Sequence, residues 1–392
     1  MQSSFKEGSA FAHTRDWLRS RPVAALAALL LLSAVAAPTR ATGKPAARPT
    51  HGVSYHHEEI PEGPWSIHVV KMDRTNPDLE LQSALAGGGK LGLATLSEQM
   101  KLFPQEVGRP LAAINGDFFK RNQPYLGDPQ GLQILHGELV SAPSDWTAFW
   151  VDPSGAPHMT NVLSRFQVTW PTGEKTSFGL NETRRRDAAV LYTSAVGATT
   201  QTSGGQELIL EQNGTNVWLP LKPDTTYSAR VREVRPGGDS PVTSNTLVLS
   251  LGRSVATRVP SVAPGAVLQI STGMWPELKG VQTAIGGGPA IVRAGKNIAR
   301  NDRVRHPRAA LGWNKDFFFL VEVDGRQRDL SVGMTLRELA DYMVRIGCTD
   351  GMNLDGGGSA TCWVFGQVMN SPSEGQERGM GNSLVVVQKD RN

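Results

Sequence analysis

The sequence predicts an α+β protein of mixed, mostly antiparallel sheets with a few packed helices and a β-rich middle section. Short segments such as Trp65-Ser-Ile-His-Val-Val-Lys71 and Leu79-Glu-Leu-Gln-Ser-Ala-Leu85 alternate apolar with polar or small residues, the period of a strand. Thr95-Leu-Ser-Glu98 and Thr335-Leu-Arg-Glu338 each place a hydroxyl three residues before a glutamate, the capping box that opens a helix. From 165 to 275, runs such as Phe166-Gln-Val-Thr-Trp170, Leu208-Ile-Leu210, Asn245-Thr-Leu-Val-Leu249 and Val267-Leu-Gln-Ile270 are separated by Gly, Pro, Asn and Asp clusters, which read as strands and turns.

In chain order, Arg15, Arg19 and Arg21 precede an apolar run from Val23 to Ala37, broken by Ser33 and closed by Pro38. That is the order of a secretory signal peptide, and the run is shorter than the roughly 20 apolar residues that span a bilayer. Residues 1–41 are therefore read as a signal peptide, 42–52 as a Gly/Pro/Ala-rich linker and 53–392 as one folded domain. The expected address is secreted or periplasmic, with no membrane attachment after cleavage. The first helix carries Leu96, Met100 and Phe103 at helical spacing and ends by Pro104. Leu111 to Ile114 then reads as a short buried strand. Late in the chain come a strand from Phe317 to Val323, a turn at Asp324-Gly325, and a helix with Leu336, Leu339, Ala340, Met343 and Val344 on one face and Gly347 at its C-terminal stop.

With 392 residues, 39% hydrophobic and 19% charged, the chain can bury a large core. Its formal charge of +4 is mild and demands no nucleic acid, while tolerating a polyanionic glycan. The only cysteines, Cys348 and Cys362, are either bridged, as export permits, or two buried thiols. They lack partners for a zinc site, and His56-His57 has no spaced third ligand.

The strongest local signal is Asn353-Leu-Asp355-Gly-Gly-Gly358-Ser359. Three glycines after a strand imply positive φ or close approach to a ligand, with free amides as anion donors; the plainer reading is a tight bend capped by Asp355. Gly286-Gly287-Gly288-Pro289 offers the same two readings, with the plain turn preferred. Arg303, Arg305, His306 and Arg308 concentrate positive charge before a strand, and the guanidinium fork matches two phosphate oxygens. Arg184-Arg185-Arg186 either grips a phosphate or is a solvated face. Glu322 and Asp324 lie two apart on one strand face. In both capping-box units the helix leads into a short apolar strand ending in Asn-x-Asp, so Asn115-x-Asp117 mirrors Asn353-x-Asp355. If the units are related by pseudo-symmetry, the two aspartates meet.

Asn-Gly-Asp-Phe-Phe at 115–119, Gly-Gly-Gly-Pro at 286–289, Arg-His-Pro-Arg at 305–308, Val-Asp-Gly-Arg at 323–326, the helix start at 331–340, Asn-Leu-Asp-Gly-Gly-Gly-Ser at 353–359, and Arg378 with Gly381-Asn382-Ser-Leu384 together resemble the phosphodiester glycosidase domain family. Its members include the lysosomal uncovering enzyme, which removes N-acetylglucosamine from a phosphodiester on mannose. The resemblance runs from about residue 110 to 388 and is densest after 281. It departs at Ala309, where the family commonly has threonine.

The resemblance implies hydrolysis between an anomeric carbon and a phosphate oxygen. The phosphate already leaves as a stabilised anion, so the site must supply positive charge at the phosphate and a carboxylate at the sugar. Arg308, with His306 and Arg378, is assigned to the phosphate, and Asp117 or Asp355 to the work of base or nucleophile. Asn115, Asn353, Gly356, Gly357, Ser359, Asp324 and Asn382 are assigned to substrate binding. No cofactor is required, and a divalent cation bridging Asp117 and Asp355 stays open. The expected partner is a glycan or sugar-phosphodiester substrate. Oligomeric state is not legible. A phosphodiesterase cleaving the P–O bond and a non-catalytic glycan-binding protein are the rival readings.

Overall fold

The computed structural model describes residues 52–122, 124–215 and 218–389, so the signal-peptide reading and all but the last residue of the linker reading lie outside the described residues. Four sheets and three α-helices make up the regular structure of those residues.

A seven-stranded, wholly antiparallel sheet runs in the order Val53–Ile60, Trp65–Asp73, Phe317–Val323, Arg308–Trp313, Asp350–Asn353, Ala290–Arg293, Lys296–Asn297. A five-stranded antiparallel sheet runs Gln367–Val368, Cys362–Val364, Arg109–Asn115, Asn382–Gln388, Leu79–Leu85. A second five-stranded sheet centres on Thr283–Gly286. In the Arg109–Asn115 strand, Leu111 to Asn115 are all buried, so it shows no alternation. A strand covered on both faces reads as a continuous apolar run, and its polar ends were not legible. The Val53–Ile60 strand lies at the sheet edge and carries the polar run Tyr55-His-His-Glu-Glu59, yet every residue pairs, from Val53 opposite Met72 to Ile60 opposite Trp65.

The β-rich middle section is an eight-stranded sheet from Leu163 to Trp275, antiparallel except where Gly179–Leu180 pairs with Ala189–Tyr192. Along Val267–Trp275, Leu268, Ile270, Thr272 and Met274 are buried while Val267, Gln269 and Trp275 are exposed. One face is thus wet and the other packs into a core with Phe166, Leu208, Tyr227 and Leu249.

Both predicted capping boxes form. Thr95 caps Leu96–Lys101 and Thr335 caps Leu336–Arg345, each accepting from a glutamate amide while that glutamate accepts from the cap. The second helix lays Leu339, Ala340, Tyr342 and Met343 against Ile291, Ala310 and Phe319. It ends in a Schellman motif: Cys348 N–H donates to Met343 O, Gly347 N–H donates to Val344 O, and Gly347 takes φ +96°. A left-handed residue is cheapest as glycine. Cys348 packs in this helix's core and Cys362 in a different one, with Leu111 and Leu384; both are free, buried thiols. Of the two cysteine readings, the buried thiols hold.

Candidate active site

Two helix–strand units deliver their acids to one place. Arg109–Asn115 ends in Asn115-Gly116-Asp117 in one sheet, and Asp350–Asn353 ends in Asn353-Leu354-Asp355 in another. The Asp355 N–H donates to Gly116 O at 2.9 Å, and Asn115 Nδ2 donates to Asp355 O at 2.6 Å while its Oδ1 accepts from Thr361 N at 3.1 Å. Asn115 is therefore a brace between the units, buried to 1% exposure.

The acids have different environments. Asp117 is 2% exposed; Oδ1 accepts from Phe118 N and Oδ2 from Gly131 N, both at 2.7 Å. Burial pushes its pKa up to about 7 against the pull of those amides, and the Asp355 charge adds to the rise. Asp355 is partly exposed and its Oδ1 accepts from Gly356 N at 2.9 Å. Its pKa is also raised by burial, opposed by Ser359, the Gly356 amide, Arg378 and Arg121.

The Gly286–Gly288 run is more than a turn. A Cβ on Gly286 would lie 2.4 Å from Asp117 Oδ2, one on Gly287 3.0 Å from Asn353 O, and one on Gly288 2.7 Å from Asn353 Nδ2. These glycines let a third strand end close on both acidic corners. Asn353 Nδ2 donates to Leu354 O at 2.6 Å, and its Oδ1 is buried without a partner. Asn382 is 1% exposed; its Oδ1 accepts from Asp117 N at 2.8 Å and its Nδ2 donates to Gln133 Oε1. It positions Asp117 from inside.

The glycine loop packs on the Arg-His-Pro-Arg segment. Gly357 N donates to Pro307 O at 2.9 Å, and a Cβ on Gly356 would come within 2.6 Å of that oxygen. Gly357 takes φ +62° and faces the Arg326 guanidinium, 3.0 Å from where its Cβ would be. Arg326 Nη2 donates to His306 Nδ1 at 3.3 Å. Burial and the neighbouring Arg308 and Arg326 charges lower the His306 pKa, consistent with a neutral ring accepting at Nδ1. Arg378 lies over Gly358, donates from Nη1 to Ser359 Oγ at 3.4 Å, and pairs with Glu374.

Other assigned residues are engaged elsewhere. Arg308 Nη2 pairs with Asp302 at 2.8 Å and its Nε donates to Met334 O at 2.7 Å; it fastens its own loop. Arg305 pairs with Glu338, and Arg303 is exposed. The Asp324 carboxylate is bonded by its own buried neighbours. It is 1% exposed, accepts from Ser66 Oγ, Asn370 Nδ2 and Ser371 N, and lies 3.2 Å from His68 Nε2. Asp324-Gly325 is not a tight hairpin, since the Asp324 amide continues to Ser66 O of the neighbouring strand. Arg184 donates to Ser203 O and Gly204 O, whereas Arg185 is exposed beside Asp187. Arg326, not singled out as a phosphate ligand, was legible only as the last residue of Val-Asp-Gly-Arg. Among the described residues it forms no ion pair with a carboxylate.

Two acids on converging strand ends, one with a near-neutral pKa, rimmed by arginines and glycine amides, form the kind of site that hydrolases use. Residues 224–387 match the family model described as phosphodiester glycosidase, so the chain carries the signature of that hydrolase family over this stretch. The match contains Asp355 and the arginines; Asp117 precedes it and is brought in by the fold. The chain is 35% identical over 88 residues to the "SPbeta prophage-derived uncharacterized protein YomE" of Bacillus subtilis (strain 168), a stretch of 22% of this chain and 14% of that protein. It shares its fold with a hypothetical protein from Synechocystis at TM-score 0.68 and 21% identity, covering 86% of this chain and 62% of that one. The "Putative exported protein" of Burkholderia pseudomallei K96243 aligns at TM-score 0.63 and 24% identity, over 83% of this chain and 74% of that one. Among the described residues no helix is long and apolar enough to cross a membrane.

Proposed function

We propose that the protein is an exported hydrolase that cleaves the bond between a sugar anomeric carbon and a phosphodiester on a cell-surface or extracellular glycan. The family match supports the reaction class; the basic-then-apolar N-terminus supports the address. The observation that carries the assignment of roles is the contrast between the two acids. Asp117 has both carboxylate oxygens on backbone amides and is sealed beneath Gly131 and Gly286. Asp355 is the partly exposed carboxylate, set among the charges of Arg378 and Arg121.

Asp355 therefore acts at the anomeric carbon, as nucleophile or as base for water, and Asp117 is a positioning residue whose charge state tunes it. Arg326 and Arg378, with the Gly358 amide, receive the leaving phosphate, while the Gly356 amide stays on Asp355 Oδ1; His306 holds Arg326 in place through Nδ1. Arg308 passes from the phosphate to the support of this loop. Beside the site, a cavity of about 1070 Å³ is lined by Lys120, Asp128 and Gln130 of the hairpin that brackets Asp117, and by Trp146, Lys175 and Arg258. Trp146 is 51% exposed and stacks edge-on against Phe118, offering an aromatic face and cations to the rest of a phosphorylated glycan.

Hydrolysis of an α-linked sugar-1-phosphodiester in heavy-oxygen water tests the reading. Label in the sugar supports C–O cleavage; label in the phosphate means a phosphodiesterase and overturns it. A protein that binds such a glycan without turning it over is a binding protein, which also overturns it.

A further inference from the structure

We propose that His68, Glu322 and Asp324 form a buried site for a first-row divalent cation, zinc foremost, behind the glycine loop and separate from the acids described above. The strand pairing assembles it. His68 lies directly opposite Glu322 on adjacent strands of the seven-stranded sheet, and Asp324 follows two residues on, so all three can reach one face. One ligand atom from each lies within 4.8 Å of the others, and the residues are 3%, 0% and 1% exposed.

Three features point to a ligand rather than to ordinary packing. First, Glu322 Oε2 is buried and has no hydrogen-bond partner, while Oε1 is held by Asn370 Nδ2 at 3.1 Å. On its other side Glu322 faces Ala309, whose methyl donates nothing. A lone buried carboxylate oxygen is costly unless something binds it. Second, the one basic side chain beside these two carboxylates is a histidine; among the described residues no lysine or arginine pairs with either. A divalent cation balances two carboxylates and accepts a neutral imidazole. Third, the histidine is aimed. Tyr55 Oη sits 2.7 Å from His68 Nδ1, and the His57 ring stacks on it with centroids 4.4 Å apart, which turns Nε2 toward Asp324 Oδ2 at 3.2 Å. Such an outer partner on the second ring nitrogen is how ligating histidines are oriented.

The His68–Asp324 spacing suits zinc. Donors about 2.0–2.2 Å from a tetrahedral ion stand roughly 3.3–3.6 Å apart, close to the His68–Asp324 separation. Ser66 Oγ, 2.8 Å from Asp324 Oδ2 and 3.4 Å from His68 Nε2, lies near a fourth corner. The ion would act structurally. Asp324 Oδ1 holds Ser371 N, and Asn370 holds Ala360 O and Cys362 N, so the cluster anchors the chain that leaves the glycine loop.

The test is metal retention by the full chain, expressed in zinc- or manganese-supplemented medium, stripped of loose metal on a chelating resin, and read by elemental mass spectrometry. Stoichiometric metal in the wild type, reduced at least tenfold in Glu322→Gln, supports the site. Because a buried variant can fail to fold, X-ray absorption on the wild-type metal gives a second reading: a mixed nitrogen and oxygen shell without sulfur supports it. Absence of retained metal in the wild type under both supplements overturns it, as does equal retention by a folded Glu322→Gln variant.

Discussion

The amide of Asp355 is hydrogen-bonded to the carbonyl of Gly116, 2.9 Å away. The bond joins two strand ends from different sheets and sets each aspartate in the field of the other, which is why the Asp355 charge adds to the raised pKa of Asp117. One acid is sealed with both oxygens on amides, the other partly exposed with one oxygen on an amide.

Asp355→Asn is expected to lower turnover of a sugar-1-phosphodiester by at least about 10³-fold, a loss in the range of removing a catalytic carboxylate, with the melting temperature within a few degrees of wild type. Kinetics and a thermal melt on the same sample check it. Full activity in a folded variant removes Asp355 from the chemistry.

Asp117 links pH to stability. Its folded pKa, about 7, stands above the ordinary 3.8. Between those values the folded state binds more protons than the unfolded state. This group's contribution is therefore fully present below about 4 and is lost as pH rises through about 7, by at most roughly 4 kcal/mol. Urea unfolding from pH 4 to 8 should show that fall in the wild type, and the wild-type minus Asp117→Asn difference should isolate it. Identical pH slopes in the two proteins would contradict the assignment.

Arg326 and Arg308 should separate. Arg326→Ala removes an exposed guanidinium, and kcat/KM on a charged diester should drop about 10- to 100-fold, consistent with one charged hydrogen bond of about 1.5–3 kcal/mol, with unfolding unchanged. Arg308→Ala breaks the bonds to Asp302 and Met334 O and should cost about 1–3 kcal/mol of stability. The reverse pattern would return the phosphate to Arg308.

Gly286→Ala adds a methyl 2.4 Å from Asp117 Oδ2 and 2.8 Å from the Gly131 Cα. Overpacking at such a contact should destabilise by about 1–3 kcal/mol and raise the mobility of Asp117. A neutral effect in chemical denaturation would mean that the strand end yields more easily than its contacts imply.

Cys348 and Cys362 should be inert to a thiol reagent in the folded protein and both react in denaturant without reductant. Burial pushes the Cys348 thiol up to about 12 and raises Cys362 as well, so neither offers a thiolate. Mass spectrometry showing a bridged pair would refute this.

What the sequence determined by itself is local. Thr95 and Thr335 stand three residues from Glu98 and Glu338, a spacing that a helix start closes on its own, and both helices begin there. The alternation at Trp65 and Leu79 marked strands because burial of one face repeats every second residue. Asn-x-Asp at 353 marked the site because three glycines after a terminal acid are costly without a use, and Asn-x-Asp at 115 repeated its pattern. What only the tertiary structure decided is partnership at long range. Asp324 meets His68 across 256 residues, so its inward turn could not be read from a strand that looked the same on either side. Arg308 and Arg326 are the same residue type in the same family stretch. Which one is free depends on Asp302 lying beside one and the glycine loop beside the other. A residue's type fixes what it can bond, but the pairing of distant strands fixes which bonds are already taken.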